Sequence, residues 1–148
     1  MNPGFADESI AFEDRFKVAW IAGPYASLPV KYPGVGGDVP SEQNGEYVRL
    51  SLLGGVSGEL NIGSIVDVET AGAFIQTTVF TTIGLGEHKA RQIADWIATN
   101  IWTRGAVFSN GDSGNIKLGP SVLRASRPAN SKFWQLDMDT PYRRVVTG

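Results

Sequence analysis

Three groups of residues in this chain are of types that carry chemistry, and each can be weighed by what that chemistry requires. The first is Gly111-Asp-Ser-Gly114, which has the look of the loop around a protease serine nucleophile. Such a serine needs an imidazole base oriented by a carboxylate. The chain has one histidine, His88, in the first turn of a predicted helix, so the motif reads as a polar loop built from turn-forming residues. The second is glycine-rich: Gly34-Val-Gly-Gly37 and Gly84-Leu-Gly86. Neither completes the G-x-G-x-x-G or Lys-Ser/Thr pattern that cradles a phosphate. Gly84-Leu-Gly86 is therefore expected to be a tight strand-to-helix turn, and His88 beside it has no second His or Cys at ligand spacing.

The third is Lys132-Phe-Trp-Gln-Leu-Asp-Met-Asp-Thr-Pro-Tyr-Arg-Arg144. In a strand, alternation aligns Trp134, Leu136, Met138, Thr140 and Tyr142 on one face and Phe133, Gln135, Asp137, Asp139 and Pro141 on the other. Aligned carboxylates can bind a hard cation or divide into acid and base, provided more oxygen ligands or a partner converge on them. The expectation is a solvated face with cross-strand pairing to Lys117 or Arg124. No catalytic, cofactor-binding or metal-ligating residue is assigned, and an enzyme is not expected.

The elements that must position these residues follow from composition and periodicity. A chain of 148 residues, 42% hydrophobic and 19% charged, is expected to be a single globular domain over 1–148. Cysteine is absent, which excludes disulfides and thiolate chemistry. No basic residue precedes a hydrophobic run at the start and no apolar run approaches eighteen residues, so neither export nor a membrane span is expected. A net charge of −2 and a pI near 5.3 argue against gripping nucleic acid as the main task. The charge is unevenly placed. Residues 1–103 hold six Lys/Arg against twelve Asp/Glu, and residues 104–148 hold seven against three. Such polarity favours head-to-tail contact between copies.

Along the chain, Asp7-Glu8-Ser9 offers caps ahead of Ile10, Phe12, Phe16, Ala19 and Trp20, predicting a helix over 7–22 ended by Gly23-Pro24. Residues 24–45 read as a long loop anchored by Tyr25 and Tyr32. Val48, Leu50 and Leu52 alternate with Tyr47, Arg49 and Ser51, predicting a half-buried strand over 46–53. A Gly-rich loop over 54–64, a short strand over 65–69 and a stronger one over 73–83 follow. Ala90, Ile93, Ala94, Trp96, Ile97 and Ile101 share one arc and predict a helix over 87–103. After a polar loop over 104–115, residues 116–124 and 133–146 read as a long antiparallel hairpin. The fold class is α+β: an antiparallel-dominated sheet with two main helices on one face.

That order, taken as a whole, resembles the tail terminator, or tail completion, proteins of long-tailed bacteriophages. The resemblance is carried by the helix with an internal Trp20, the extended Leu28-Pro-Val-Lys-Tyr-Pro33, and the Pro40 ahead of Tyr47-Val-Arg-Leu50. It continues in Gly72-Ala-Phe-Ile-Gln76, the Gly84-Leu-Gly-Glu-His-Lys-Ala90 turn into a helix, and the closing hairpin on Phe133 to Tyr142. It implies a virion subunit, assembled in the host cytoplasm, that forms a homo-oligomeric ring, usually a hexamer. The ring would cap the head-proximal end of the tail tube, end tube polymerisation and prepare head–tail joining. Implied partners are the tail tube protein and a head-completion or connector protein, with DNA only passing through the lumen, and neither membrane nor cofactor.

A closed ring needs heterologous contacts. Arg124, Arg127, Arg143 and Arg144 are expected near such an interface, meeting Glu42, Glu46, Glu59 or Asp67 of a neighbour. The glycine-rich stretches 34–45 and 54–64 are candidate contacts with tube or connector. The alternatives are another virion subunit, a head-closure or tail-tube protein, or a small-molecule-binding α+β domain.

Overall fold

The computed structural model describes residues 4–33, 46–54, 56–62, 65–84 and 86–147, with side chains described for all of these but 56–71, 86 and 147. The first apolar period forms α1 (Phe5–Ile21), which buries Ala11, Phe12, Phe16 and Trp20. It starts two residues before the predicted position. Its N-cap is Gly4, at φ 65°, and no side chain caps it. A glycine is needed there because a Cβ would stand 1.9 Å from the Asp112 carbonyl oxygen. The residues expected to cap are used otherwise: Asp7 accepts the Asp112 N–H at 3.0 Å, and Glu8 turns inward. Tyr25 and Tyr32 do anchor the next segment, Tyr25 stacking on Trp20 and Tyr32 meeting Phe16 edge-on.

Within the expected 24–45 loop, Val30–Lys31 forms a short strand, β1, which pairs in parallel with β2 (Tyr47–Leu53). The Gly34-Val-Gly-Gly37 stretch and the rest of 34–45 lie outside the described residues. The predicted loop over 54–64 is corrected: Val56–Ile62 is a strand, β3, paired from Val56↔Ala71 to Ile62↔Ile65. Val56, Leu60 and Ile62 do alternate with polar residues, but Gly58 interrupts the period where a side chain would have announced a strand.

The two strands predicted over 65–69 and 73–83 are one, β4 (Ile65–Thr82). A register shift between Thr70 and Ala73 lets two residues oppose one on the partner strand, and Gly72 takes φ 75° there. This is a β-bulge, which bends the strand without ending it. The chain then turns into α2 (Gly86–Asn100), where Ala90, Ile93, Ala94 and Ile97 face the core, followed by the fully buried Ile101 and Trp102.

The expected 104–115 loop contains β5 (Val107–Phe108), and the expected strand over 116–124 is divided into β6 (Asn115–Leu118) and β7 (Val122–Pro128). Pro120, which lacks an N–H, sits at the break, while the Gly119 N–H bonds the Pro141 carbonyl at 2.7 Å. Both strands pair with the same partner, β8 (Phe133–Thr147): β6 with its second half and β7 with its first.

The sheet order is β1-β2-β4-β8-β6-β5, with β3 added to β4 and β7 added to β8. All pairings but β1–β2 are antiparallel. The result is α+β, two helices on a mostly antiparallel, curled sheet whose spine is the long β4–β8 pair. One core gathers Phe12, Phe16 and Trp20 of α1, Ile93 and Ile97 of α2, and Val48, Ile75, Val79, Leu136 and Met138 of the sheet. Tyr47, expected to face water, is buried in a second cluster: its ring stacks on Phe80 at 4.3 Å and meets Phe133 edge-on. Among the described residues no helix is long and apolar enough to cross a membrane.

Gly114 and Gly105 provide a test of how tightly the loop after α2 is held. Both have positive φ, 71° and 82°, but a Cβ on Gly114 would stand 2.1 Å from the Val145 carbonyl oxygen, whereas one on Gly105 meets nothing within 4 Å. Gly105→Ala should cost about 1–3 kcal/mol of backbone strain. Gly114→Ala should lower the thermal midpoint clearly further, and equal midpoints would show that the loop yields without cost.

Candidate functional site

Alternation along β8 places the aspartates as expected, with Leu136, Met138, Thr140 and Tyr142 buried on the opposite face. Their environment is not the solvated one predicted. Asp137 and Asp139 are 8% and 6% exposed, because the neighbouring strands close over them. Asp137 accepts from Thr78 Oγ1 at 3.0 Å, Gln135 Nε2 at 3.2 Å and Arg127 at 3.2 Å. Asp139 accepts from Gln76 Nε2 at 3.3 Å and Arg124 Nε at 2.9 Å. The Arg124–Asp139 pairing is one of the two foreseen. Lys117, the other candidate partner, stands opposite Arg143 in the β6–β8 register. Charge-assisted bonds occupy both carboxylates, and a guanidinium has no proton to exchange near neutral pH. The face is thus a set of cross-strand polar rungs capped by two arginines, whose side chains stay 63% and 52% exposed at positions 124 and 127.

The Gly111–Gly114 loop is a latch. Ser113 is fully buried, its Oγ accepting the Asn110 N–H and donating to the Gly114 carbonyl, each at 2.8 Å. His88 is exposed on α2 and forms no constellation with it. Gly84 and Gly86 flank the β4–α2 turn as expected, with Leu85 outside the described residues. Among the described residues no three His, Cys, Asp or Glu side chains group as a metal site would need.

The most demanding electrostatics lie elsewhere. Arg144 is 1% exposed and forms an ion pair with Glu8 of α1, itself buried. Arg144 also donates to the Ser113 carbonyl at 3.0 Å and lies over the Phe5 ring. Tyr142 donates to the other Glu8 oxygen at 2.5 Å. Burial pushes the Tyr142 phenol far above its ordinary pKa, the hydrogen bond to Glu8 and that residue's charge add to the rise, and Arg144 opposes it. The expectation that Arg144 would reach across to a neighbour's acid is therefore corrected: its partner is Glu8 of the same subunit. The period-two rule that put Tyr142 inside also puts Arg144 inside, two residues on.

The remaining expected interface residues divide by position. Arg124 and Arg127 are on β7 and Arg143 on β8, all exposed. Glu46 precedes β2 and forms an ion pair with Lys89 of α2. Glu59 is on β3 and Asp67 on β4, their side chains outside the described set, and Glu42 lies outside the described residues altogether. In sheet order the acids belong to the β2–β3–β4 side and the cations to the β7–β8–β6 side.

The family described as phage tail terminator protein matches residues 9–131. No curated protein matches the chain. Among solved structures, a chain from the virion of a native gene transfer agent particle aligns with a TM-score of 0.54 at 14% identity, covering 95% of this chain and 94% of that one. Another aligns with a TM-score of 0.58 at 18% identity, covering 93% and 90%. At these identities both likenesses are likenesses of fold.

Two measurements test the buried cluster. Glu8→Ala or Arg144→Met alone should cost about 3–5 kcal/mol in urea unfolding, because each strands a buried charge, and the double variant Glu8→Leu/Arg144→Met should recover most of it. Additive losses would contradict the pairing. An unfolded tyrosine gives up its proton near pH 10 while the folded Tyr142 keeps its own, so above that pH the unfolded chain binds fewer protons and stability falls as pH rises. Tyr32, pushed up to about 12 by burial and by Glu13, acts in the same direction. Tyr142→Phe should flatten the decline above pH 10; an unchanged slope would place the Tyr142 hydroxyl in water.

Proposed function

The chain belongs to the phage tail terminator family and is a structural component of the virion tail, and from that premise we propose that it forms a closed ring of six subunits. The ring sits on the head-proximal end of the tail tube, ends the polymerisation of tube protein and offers the surface on which a head-completion or connector protein docks. DNA passes through its lumen without being gripped, a task that suits a chain with a pI near 5.3.

One observation carries this reading: the acids Glu59 and Asp67 lie on β3 and β4, whereas the exposed Arg124, Arg127 and Arg143 lie on β7 and β8. A ring closes only if one surface of a subunit fits a different surface of the next. Glu46 ahead of β2, Glu59 on β3 and Asp67 on β4, with exposed arginines on β7 and β8, would supply two unlike surfaces of opposite sign. Arg124 and Arg127 each bond an aspartate within the subunit, yet a guanidinium has five N–H donors, and their exposure leaves donors for carboxylates of the neighbour. Candidate acceptors are Glu46, Glu59, Asp67 and Glu42. Arg143 completes the cationic side, and Arg144 supports it from within.

The expected outcome in electron microscopy of the purified protein is single closed rings, and addition of the protein to polymerising tube subunits should shorten the tubes. Open cylinders would identify a tube subunit instead. Tube lengths unaffected by a stoichiometric excess would remove the terminating role.

A further inference from the structure

Between α1 and the segment that follows α2 lies a groove of about 420 Å³. Its apolar lining is Ala11, Val18 and Ala19 of the helix and Phe108 of β5, and its polar lining includes Asn100 and Ser109. Arg15 lines it too and is half-buried. Its Nε donates to the Ile101 carbonyl at 2.8 Å, just past the end of α2, and its guanidinium carbon lies 5.0 Å from the centre of the Phe108 ring. These two contacts hold the guanidinium in place and leave both of its terminal nitrogens over. Among the described residues no carboxylate pairs with it. Asp14 comes one residue before it on the helix, where side chains do not face each other.

A guanidinium cannot shed its charge near neutral pH, so its partial burial without an anion is a cost that a bound carboxylate removes. Burial lowers the Arg15 pKa from its ordinary value, the direction expected of a cation that has lost water and gained no anion. Beside that cation the surface is aliphatic. Val18 and Ile21, on successive turns of α1, are 74% and 76% exposed.

We propose that this groove docks an extended segment of a partner protein that carries one acidic side chain between aliphatic residues. The carboxylate takes the free end of the Arg15 fork, in the paired geometry that two planar groups allow. The aliphatic neighbours cover Val18 and Phe108. Asn100, whose Nδ2 bonds the Trp96 carbonyl at 3.0 Å, keeps its side-chain oxygen for a backbone N–H of the segment, and the exposed Ser109 offers a hydroxyl. Asp14, exposed in the groove lining, accepts N–H groups and repels a second acid, which limits the segment to a single carboxylate. Because the guanidinium is already held, little freedom is lost when it binds. The contact needs no closed ring and stands apart from the ring reading.

Calorimetric titration of the native protein with the capped tripeptide acetyl-Leu-Glu-Leu-amide, and with the same peptide carrying Gln for Glu, tests the proposal. The acidic peptide is expected to bind once per chain and the Gln peptide roughly tenfold more weakly. Arg15→Lys keeps a positive charge but loses the fork, and Val18→Asp adds a second acid to the groove from an exposed position. Each should weaken the acidic peptide by a similar factor. No saturable binding of the acidic peptide, equal binding of the two peptides, or either folded variant binding as the native chain does, overturns the proposal. Tighter binding of N-acetyl-leucine, whose carboxylate ends the molecule, replaces the internal acid by a chain terminus and overturns it as well. Should Arg15→Lys lose its fold by circular dichroism, Val18→Asp decides, since position 18 is 74% exposed. One site per chain is the same count in a ring and in a monomer, so this result and the ring reading fail separately.

Discussion

The structure depends on one buried ion pair. Glu8 and Arg144 are 136 positions apart in sequence and meet where water is excluded. Desolvating two charges is costly, and the cost is offset only when geometry and further hydrogen bonds satisfy both partners. Here Tyr142 and the Ser113 carbonyl complete the set. The pair thereby fixes three things together: the first turn of α1, the second half of β8, and the loop between β5 and β6 that carries Ser113. Gly4 and Gly114 are the conformational counterpart, since each brings backbone against backbone where a Cβ would not fit. Replacing the pair by apolar side chains could preserve stability, which suggests that what it secures is the register of α1 on the sheet.

From that anchor the β4–β8 pair runs the length of the molecule and bends at the Gly72 bulge. The bend, the interruption of β6 and β7, and the two outer strands β3 and β7 are aspects of a single geometry. A sheet that ended in two like edges would polymerise or aggregate without direction. Here Glu59 and Asp67 lie on β3 and β4, and the exposed Arg124, Arg127 and Arg143 lie on β7 and β8. β7 also carries two arginines, a register shift and Pro128, devices that discourage indiscriminate strand pairing while leaving a specific contact available.

Much of this was legible in the sequence, and the misses have physical causes. The helices and β2 were visible because apolar residues recur at 3.6 or 2 residues and no glycine interrupts them. β3 was hidden by Gly58, and the unity of β4 by Gly72, because a glycine that permits a bulge reads the same as one that ends a strand. The pairing of β6 and β7 with one partner depends on Pro120, whose effect on register cannot be seen one strand at a time. Asp139 met Arg124 as expected, but the burial of both aspartates follows from the closeness of β4 and β7, which periodicity does not report. Arg144 illustrates a different error: its charge suggested the surface, while its alternation with Tyr142 pointed inward. The buried Glu8 that accepts it lies one helical turn before Phe12, a position the helical period assigns to the core.

The proposed ring requires unlike surfaces of one folded subunit to meet around a closed circle. Native mass spectrometry of the purified protein addresses it directly, since it counts subunits without a partner or an assay. One dominant assembly at six times the chain mass of 15.9 kDa is expected, collapsing to the monomer at high ionic strength as the charge contacts are screened. A continuous series of oligomers, or a monomer alone at concentrations well above micromolar, would contradict it.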